Sequence, residues 1–410
     1  MSSILSKKYK VALFVSGLGS NEYFFDETIR KMKTEQPNLV VEYSGVIDMS
    51  DYNPNENQFY GLSNNSLMPS SKALTSFCSK IANIVSSAKE NGNKVILVRT
   101  KLGTKIKGIN EKKIVYSSYD SIDNQALKLK KIINEICRIN PETEIYLIGH
   151  SQGGLVNLKT STLVPEKIKN LISISTPYSP VTLAYLLREI EFVANIFDKS
   201  LIMKVEPNDY IDYEERIKTL SDLKYINNLK NEWNNLIIRP KLNVIAGISS
   251  HLMTSEYFII FCIPFELNYR YPFDGLVLGR EQVNIENATI NVLCNDGVEC
   301  YQKSDGFKHS CCTEFSIINQ HDCHCVLPCF DINGALFKSS LSVLGSALKT
   351  GNVDINNLPI IKAILEGIKG IACSDKKYKQ YYDIIGGNYS HQNIVKQDNT
   401  IGLILGVLAN

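Results

Sequence analysis

The chain has 410 residues, of which 44% are hydrophobic and 21% are charged, and this composition is that of a globular protein with a large buried core. Its 44 basic and 42 acidic residues leave a formal net charge of +2, without a long block of either sign. This balance excludes a strongly basic surface, so we expect no nucleic-acid partner.

The N-terminal segment shows no clear targeting signal. Lysines precede the apolar run Val11 to Val15, but that run is only about one strand long and lacks a small-residue cleavage site. The most hydrophobic windows, residues 257–265 and 401–408, are shorter than the roughly 20 residues of a membrane-spanning helix. We therefore expect a cytoplasmic protein.

Short apolar runs rich in β-branched residues recur along the chain. They occupy residues 10–17, 39–46, 94–100, 144–149, 171–175 and 242–247. Nearly continuous hydrophobicity over the length of a strand indicates strands covered on both faces, as in a parallel sheet. Residues 124–137 place their apolar side chains on one stripe of a helix that ends before Asn140-Pro141. Alternating strands and helices predict an α/β protein with a mostly parallel central sheet and helices on both faces.

The segment LIGHSQGG, residues 147–154, places Ser151 between Gly149 and Gly153. The strand EIYLI precedes it, and a helical pattern begins at Leu155. A serine on a sharp turn between a strand and a helix projects clear of the backbone, and small flanking residues relieve crowding in that turn. The context favours a nucleophilic serine, and an ordinary glycine-rich turn is the alternative.

The GHSQGG motif after a strand, with LISISTP about twenty residues further on, resembles the lipase and esterase branch of the α/β-hydrolase superfamily. The resemblance covers residues 8–177, 240–280 and 380–410. It implies an α/β-hydrolase fold and a catalytic triad in the chain order serine, acid, histidine. We therefore expect the other two triad members downstream of Ser151.

The same resemblance implies an oxyanion hole built from two backbone N–H groups. One belongs to Gln152, directly after the nucleophile, and the other to Leu18 in the segment VSGLGS at residues 15–20. The family commonly has a histidine where this chain has Ser16, a departure that affects loop packing more than chemistry. A phosphate cradle is the alternative for this segment, but it lacks the third glycine of a dinucleotide fingerprint.

Elimination among six histidines identifies the candidate base. His150 is the neighbour of Ser151 and cannot turn back on it, and His251 precedes the candidate acid. Three more lie among clustered cysteines: His309, His321 and His324. His391 remains, after a predicted strand at residues 381–385 and before a closing helix, which is the placement that the resemblance implies. The alternative is an exposed loop histidine without a role.

Asp274 is the candidate acid. It lies in PFDGLV, residues 272–277, which follows the strand at 242–247 and resembles the Asp-Gly-x-Val turn that carries the triad carboxylate in lipases. Asp296 in CNDGVEC has a similar form and is the competitor, and Asp-Gly is also a common turn dipeptide without chemistry.

Two regions interrupt the alternation of strands and helices and divide the chain into five parts. These are a first core part at 1–176, a helical cap at 177–240, a core strand and acid loop at 241–280, a cysteine-rich and helical insertion at 281–375, and a last core part at 376–410. An apolar stripe in the cap, residues 183–197, would cover the serine as a lid or pack on the core. The run YFIIFCIPF at 257–265 would line an acyl pocket or form a buried strand.

Seven of the 11 cysteines fall in one short segment. They are Cys294, Cys300, Cys311, Cys312, Cys323, Cys325 and Cys329. With three interleaved histidines, residues 294–329 contain enough soft ligands for a structural zinc site, although paired C-x-x-C motifs are missing. Free thiols in a packed insertion are the alternative.

Together these features predict a serine ester hydrolase of the lipase or carboxylesterase type, acting on an ester or lipid with a hydrophobic acyl group. Catalysis needs no cofactor. The same triad would also serve a thioesterase or an amidase. A non-catalytic binding protein built on a hydrolase core stays open, as do transient contact with a membrane surface and the oligomeric state.

Overall fold

The computed structural model describes residues 9–17, 20, 22–63, 66–103, 105–107, 113–115, 120–179, 223–248, 250–260, 263–274, 277, 279–294, 312–317, 320–323 and 388–410. In chain order its strands are β1 (Tyr9–Val15), β2 (Val40–Asp48), β3 (Tyr52–Asn53), β4 (Gln58–Ser63), β5 (Ser66–Pro69), β6 (Val95–Lys101), β7 (Lys105–Lys107), β8 (Lys113–Val115), β9 (Thr143–His150), β10 (Ile168–Ile174), β11 (Lys241–Ile248), β12 (Ser250–Ile260), β13 (Ile263–Phe273), β14 (Ala288–Cys294), β15 (Cys312–Ile317) and β16 (Gln320–Cys323). Its α-helices are α1 (Asp26–Glu35), α2 (Ser71–Asn91), α3 (Ile122–Ile139), α4 (Gln152–Leu163), α5 (Leu223–Asn234), α6 (Gly279–Val283) and α7 (Asp398–Ala409).

Seven strands form the central sheet, in the order β14-β11-β10-β9-β1-β6-β2. Every neighbouring pair in this sheet is parallel. Because the strands run the same way, their carboxyl ends meet at one edge, where the loops after β1, β9 and β11 come together. The predicted α/β class and the predicted strands of this sheet are confirmed.

Side chains alternate between two apolar layers, one on each face of the sheet. In β1, Val11 and Leu13 face a layer that includes residues of α2, α3, α4 and α5, whereas Ala12 and Phe14 face a layer that includes residues of α1 and α7. This alternation follows from the two-residue period of a strand. Both faces are covered by helices, which explains why the strand sequences are apolar almost throughout.

The boundaries of α3 follow from local chemistry. The Ser121 hydroxyl accepts a hydrogen bond from the Asn124 N–H and so caps the first turn, and the helix ends at Asn140, directly before Pro141. Its predicted apolar stripe is buried, with Leu129 and Ile133 fully inaccessible to solvent.

Two parts of the predicted insertions contribute to the core. Strand β14, within residues 281–375, is an edge strand of the central sheet and pairs with β11. Helix α5, within residues 177–240, buries Trp233 completely in the same layer as α4. The apolar stripe at 183–197 lies outside the described residues.

A long antiparallel hairpin, β12 and β13, lies between β11 and Asp274. Ser250 pairs with Phe273 at its base and Ile260 with Ile263 at its end. Residues 257–260 and 263–265 of the apolar run therefore lie at the far end of this hairpin, and their side chains lie outside what the structure describes. Strands β15 and β16 extend the hairpin into a four-stranded sheet.

Among the helices that the structure describes, none combines the length and the apolar composition that crossing a membrane requires.

Candidate active site

Ser151 lies on the sharp turn between β9 and α4. Its backbone has φ 54° and ψ −126°, a conformation that is costly for a residue with a side chain. A Cβ atom on Gly153 would lie 2.2 Å from the Val15 carbonyl oxygen, and one on Gly149 would lie 2.6 Å from the Gly153 backbone. Only glycine fits at either flank, so the GHSQGG pattern encodes the close packing of this turn.

The loop after β1 packs directly on the serine. A Cβ atom on Gly17 would lie 2.7 Å from the Ser151 Cβ atom and 3.2 Å from His150 Nδ1. Gln152 begins α4, where the first backbone N–H groups of a helix have no intrahelical acceptor. Leu18 lies outside the described residues, so the second predicted oxyanion donor stays a prediction.

Asp274 and His391, 117 residues apart in the chain, are in direct contact. The Asp274 Oδ2 atom lies 2.7 Å from His391 Nδ1, and the His391 N–H donates to the Asp274 carbonyl oxygen at 2.7 Å. Asp274 is fully buried, and its other carboxylate oxygen accepts a hydrogen bond from the Val277 N–H at 2.7 Å. These contacts fix the geometry of the pair. In a catalytic triad Nδ1 is the ring nitrogen that binds the acid, and Nε2 is the one that faces the serine.

The Asp274–His391 pair packs against the turn that carries Ser151. The His391 and His150 ring centroids are 4.7 Å apart, and His150 is the residue before Ser151. Within the described residues, no hydrogen bond joins the Ser151 hydroxyl to the His391 ring. Such bonds are commonly long before substrate binds and shorten in the reacting complex.

His150 has a contact that the sequence did not reveal. Its Nε2 atom lies 2.5 Å from the His391 carbonyl oxygen, and its ring stacks on Phe24 with centroids 4.7 Å apart. Since a carbonyl only accepts, Nε2 carries the proton. Burial lowers the pKa of His150 well below its ordinary value, with His391 as a further cause, so the ring is neutral.

Gln282 is a second residue that sequence reasoning missed. From α6 its side chain bonds both backbone groups of Gly247, near the end of β11, and its Nε2 also donates to the Val277 carbonyl oxygen at 3.1 Å. It is fully buried. Gln282 thus connects the acid turn to the central sheet, a link between residues that no local pattern could reveal.

Much of the cysteine cluster, and the competitor Asp296, lie outside the described residues. Cys294, at the end of β14, is disulfide-bonded. In the part of the chain that the structure describes, no group of three or more His, Cys, Asp or Glu side chains is arranged to hold a metal ion. The disulfide leaves Cys294 without a free thiolate for a zinc ion, and a zinc site among the other cysteines stays a prediction.

The parallel sheet, the strained serine after a central strand and the glycine contacts define the class: the protein has an α/β-hydrolase fold, as the resemblance to lipases and esterases predicted. Residues 110–254, which include Ser151, match the sequence model of the family described as the PGAP1-like alpha/beta domain. Comparison with curated proteins found no match to this chain.

Solved structures with similarity to the chain include several esterases and lipases. A gene product of Listeria innocua has 12% identity and a TM-score of 0.36, with 70% of this chain and 85% of that chain covered. The mature lipase BlEst2 of Bacillus licheniformis has 12% identity, a TM-score of 0.35 and coverages of 70% and 84%. The monoacylglycerol lipase of Paleococcus ferrophilus has 13% identity, a TM-score of 0.31 and coverages of 69% and 84%.

Proposed function

We propose that the protein is a serine hydrolase that cleaves carboxylic esters. The observation that carries the proposal is the contact of 2.7 Å between Asp274 and His391, made directly beside the strained turn of Ser151. A buried carboxylate, an oriented imidazole and an activated serine are the components of acyl transfer through a covalent intermediate.

In the proposed reaction the Ser151 Oγ atom attacks the ester carbonyl carbon while its proton passes to His391 Nε2. Asp274 accepts the Nδ1–H of His391 and stabilises the imidazolium that forms. The backbone N–H groups of Gln152 and Leu18 bind the oxyanion. His391 then returns the proton to the departing alkoxide oxygen, which leaves an acyl group on Ser151. His391 then takes a proton from a water molecule, whose oxygen attacks the acyl carbon. The bond to Ser151 Oγ breaks as His391 returns the proton to it, which releases the acid and the free serine.

The proposed substrate is an ester or lipid with a hydrophobic acyl group. Support comes from the sequence of two segments close in the chain to the site: the apolar stripe at 183–197 and the apolar run at 257–265. Matched ester, thioester and amide substrates with acyl chains of increasing length would test this. We expect kcat/KM for the ester to rise with chain length, because apolar burial contributes about 0.8 kcal/mol per CH₂ group.

A fluorophosphonate probe tests the mechanism most directly, because it reacts covalently with an activated serine. We expect the wild type to be labelled on Ser151, with labelling lost in Ser151→Ala and strongly reduced in His391→Ala. Ser161→Ala is the matched control, since Ser161 is also buried but its hydroxyl donates to the Leu158 carbonyl oxygen within α4. It should be labelled at the wild-type rate.

Absence of labelling in folded wild-type protein near neutral pH would contradict the proposal and favour a non-catalytic binding protein on a hydrolase core. Labelling that persists in Ser151→Ala would contradict the assignment of the nucleophile.

A structural zinc site in residues 294–329 is a separate proposal, without a role in the chemistry. Metal analysis of the purified protein, together with a count of free thiols after denaturation, distinguishes zinc from disulfides. Zinc predicts one metal ion per chain and reactive thiols after chelation, whereas disulfides predict fewer thiols than the 11 cysteines of the sequence.

A further inference from the structure

We infer that His150 is a positioning residue, whose Nε2–H holds the loop of His391 against the turn of Ser151. The inference rests on the proposed function, because it assigns a role within that same site. Its basis is the hydrogen bond from His150 Nε2 to the His391 carbonyl oxygen, which joins residues 241 positions apart.

The bond completes the set of contacts that orient His391. The His391 N–H donates to Asp274 O, its Nδ1 contacts Asp274 Oδ2, and its carbonyl oxygen accepts from His150. The N–H, the carbonyl oxygen and Nδ1 of His391 are therefore all hydrogen-bonded, two of them to Asp274 and one to His150. Nε2 is the remaining polar atom of His391, and it is the atom that the proposed reaction requires.

A neutral histidine suits this position better than another donor. Its flat ring fits between Phe24 and the His391 ring, with centroids 4.7 Å from each. Burial keeps the pKa of His150 low, so the donor carries no charge beside the imidazolium that His391 would form. A lysine or arginine would supply a donor but would repel that charge.

His150 also contacts the loop that supplies the predicted second oxyanion donor. Its Nδ1 atom is buried, has no hydrogen-bond partner among the described residues, and faces Gly17. The His150 side chain therefore contacts both the loop of His391 and the loop after β1, and the His150 backbone is bonded directly to Ser151. Moving it would disturb all three together.

Three substitutions separate this role from simple packing. In His150→Gln the amide nitrogen reaches the position of Nε2, in His150→Asn it reaches only that of Nδ1, and in His150→Leu it is missing. We expect kcat to fall by about 10- to 100-fold in the Asn and Leu variants with KM changed by less than about 3-fold, and the Gln variant to stay within about 3-fold of the wild type.

A second readout does not depend on activity. The proton between His391 Nδ1 and Asp274 gives a downfield resonance in the proton spectrum, which we expect in the wild type and in His150→Gln, and which we expect to shift or broaden in His150→Asn. Tyr178→Phe is the control for loss of a buried hydrogen bond elsewhere, since the Tyr178 hydroxyl bonds to Ser173. It should change neither readout.

Unchanged kcat and an unchanged resonance in His150→Asn would overturn the inference, as would a loss in His150→Gln equal to that in His150→Leu. If His150→Leu does not fold, the comparison of Gln with Asn still decides. If the wild type has no hydrolase activity, the proposed function fails, and the resonance alone then tests whether His150 positions His391.

Discussion

Among the described residues, the buried surroundings of Lys128 and of His391 differ in what their polar atoms bind. Lys128, on α3, is 1% exposed, and its ammonium donates to the Leu102 carbonyl oxygen at 3.0 Å and to Asp120 Oδ2 at 2.7 Å. Burial lowers the pKa of Lys128, although Asp120 opposes this shift. At the other centre, His391 makes three hydrogen bonds and keeps Nε2 for a further partner.

The comparison shows that burial of a titratable group does not by itself mark a site of chemistry. The Lys128 ammonium binds the Leu102 and Gly103 carbonyl oxygens at the start of the loop after β6. These contacts indicate a structural role. The His391 centre adds a strained serine and glycine contacts too close for any side chain. These two features, more than a shifted pKa, distinguish the candidate active site.

The largest expected effect separates the two centres by activity. Asp274→Asn keeps the size of the side chain but places an amide opposite His391 Nδ1, which favours the wrong tautomer of the ring. We expect kcat on a chromogenic ester to fall by about 10³- to 10⁴-fold. Asp398→Asn, at an exposed aspartate that pairs with Lys31, is the control and should keep full activity. A loss below 10-fold in Asp274→Asn would instead favour Asp296 as the acid.

The second largest expected effect distinguishes the Lys128 centre from the His391 centre by its contribution to stability. Lys128→Met removes a buried ammonium that contacts Asp120 Oδ2 and the Leu102 carbonyl oxygen, so we expect the free energy of unfolding to fall by about 3 to 5 kcal/mol. At temperatures well below the transition, kcat should stay within about 2-fold of the wild type. Urea denaturation measures the first quantity, and Lys128→Met combined with Asp120→Asn should recover part of the loss. A fall in kcat without a loss of stability would mean that Lys128 belongs to the active site.

A smaller effect tests the glycine contacts of the site. An alanine at Gly17 brings its Cβ atom to 2.7 Å from the Ser151 Cβ atom, so the loop after β1 must shift. We expect kcat/KM to fall by about 10-fold or more. Gly402→Ala is the control, because no atom lies within 4 Å of a Cβ atom there, and alanine in α7 should raise stability by about 0.5 to 1 kcal/mol. Full activity in Gly17→Ala would show that the contact is dispensable.

The smallest effect concerns the pH dependence of stability. His150 is neutral in the folded protein because burial lowers its pKa, whereas in the unfolded chain the pKa of a histidine is about 6.5. Above that value both states are neutral; as pH falls below it, the unfolded state binds the proton and the folded state is destabilised. Between pH 7.5 and 5.5 the wild type should therefore lose about 1 kcal/mol more than His150→Gln. Parallel curves for the two proteins would contradict the buried neutral histidine.

The sequence predicted those parts of the fold that local patterns determine. The central strands are apolar throughout because both faces are covered, and the turn of Ser151 shows its glycines because no other residue fits. The strand and glycine patterns and the turn that contains Asp274 are each contained within a few consecutive residues. The choice of His391 instead compares all six histidines of the chain.

Contacts between distant residues could not be predicted in this way. The bond of His150 to His391 and the bonds of Gln282 to Gly247 and Val277 join side chains to the backbone of remote loops, and backbone groups are the same in every sequence. Strand β14 was assigned to an insertion because its neighbours in the chain are rich in cysteine, although it pairs with β11 in the central sheet. Composition reports on neighbours in the sequence, whereas the pairing of strands depends on neighbours in three dimensions.

The hairpin of β12 and β13 directly precedes Asp274 in the chain, and several contacts of Asp274 come from outside it. Asp274 and Val277 exchange hydrogen bonds, Gln282 holds Val277, and the His391 N–H holds the Asp274 carbonyl oxygen. The partners in these hydrogen bonds come after the hairpin in the chain. Since the free-energy cost of closing a longer loop grows only slowly with its length, we expect changes in the length of the hairpin to be tolerated better than changes in these contacts. The surroundings of the candidate site can then vary while its central contacts are kept.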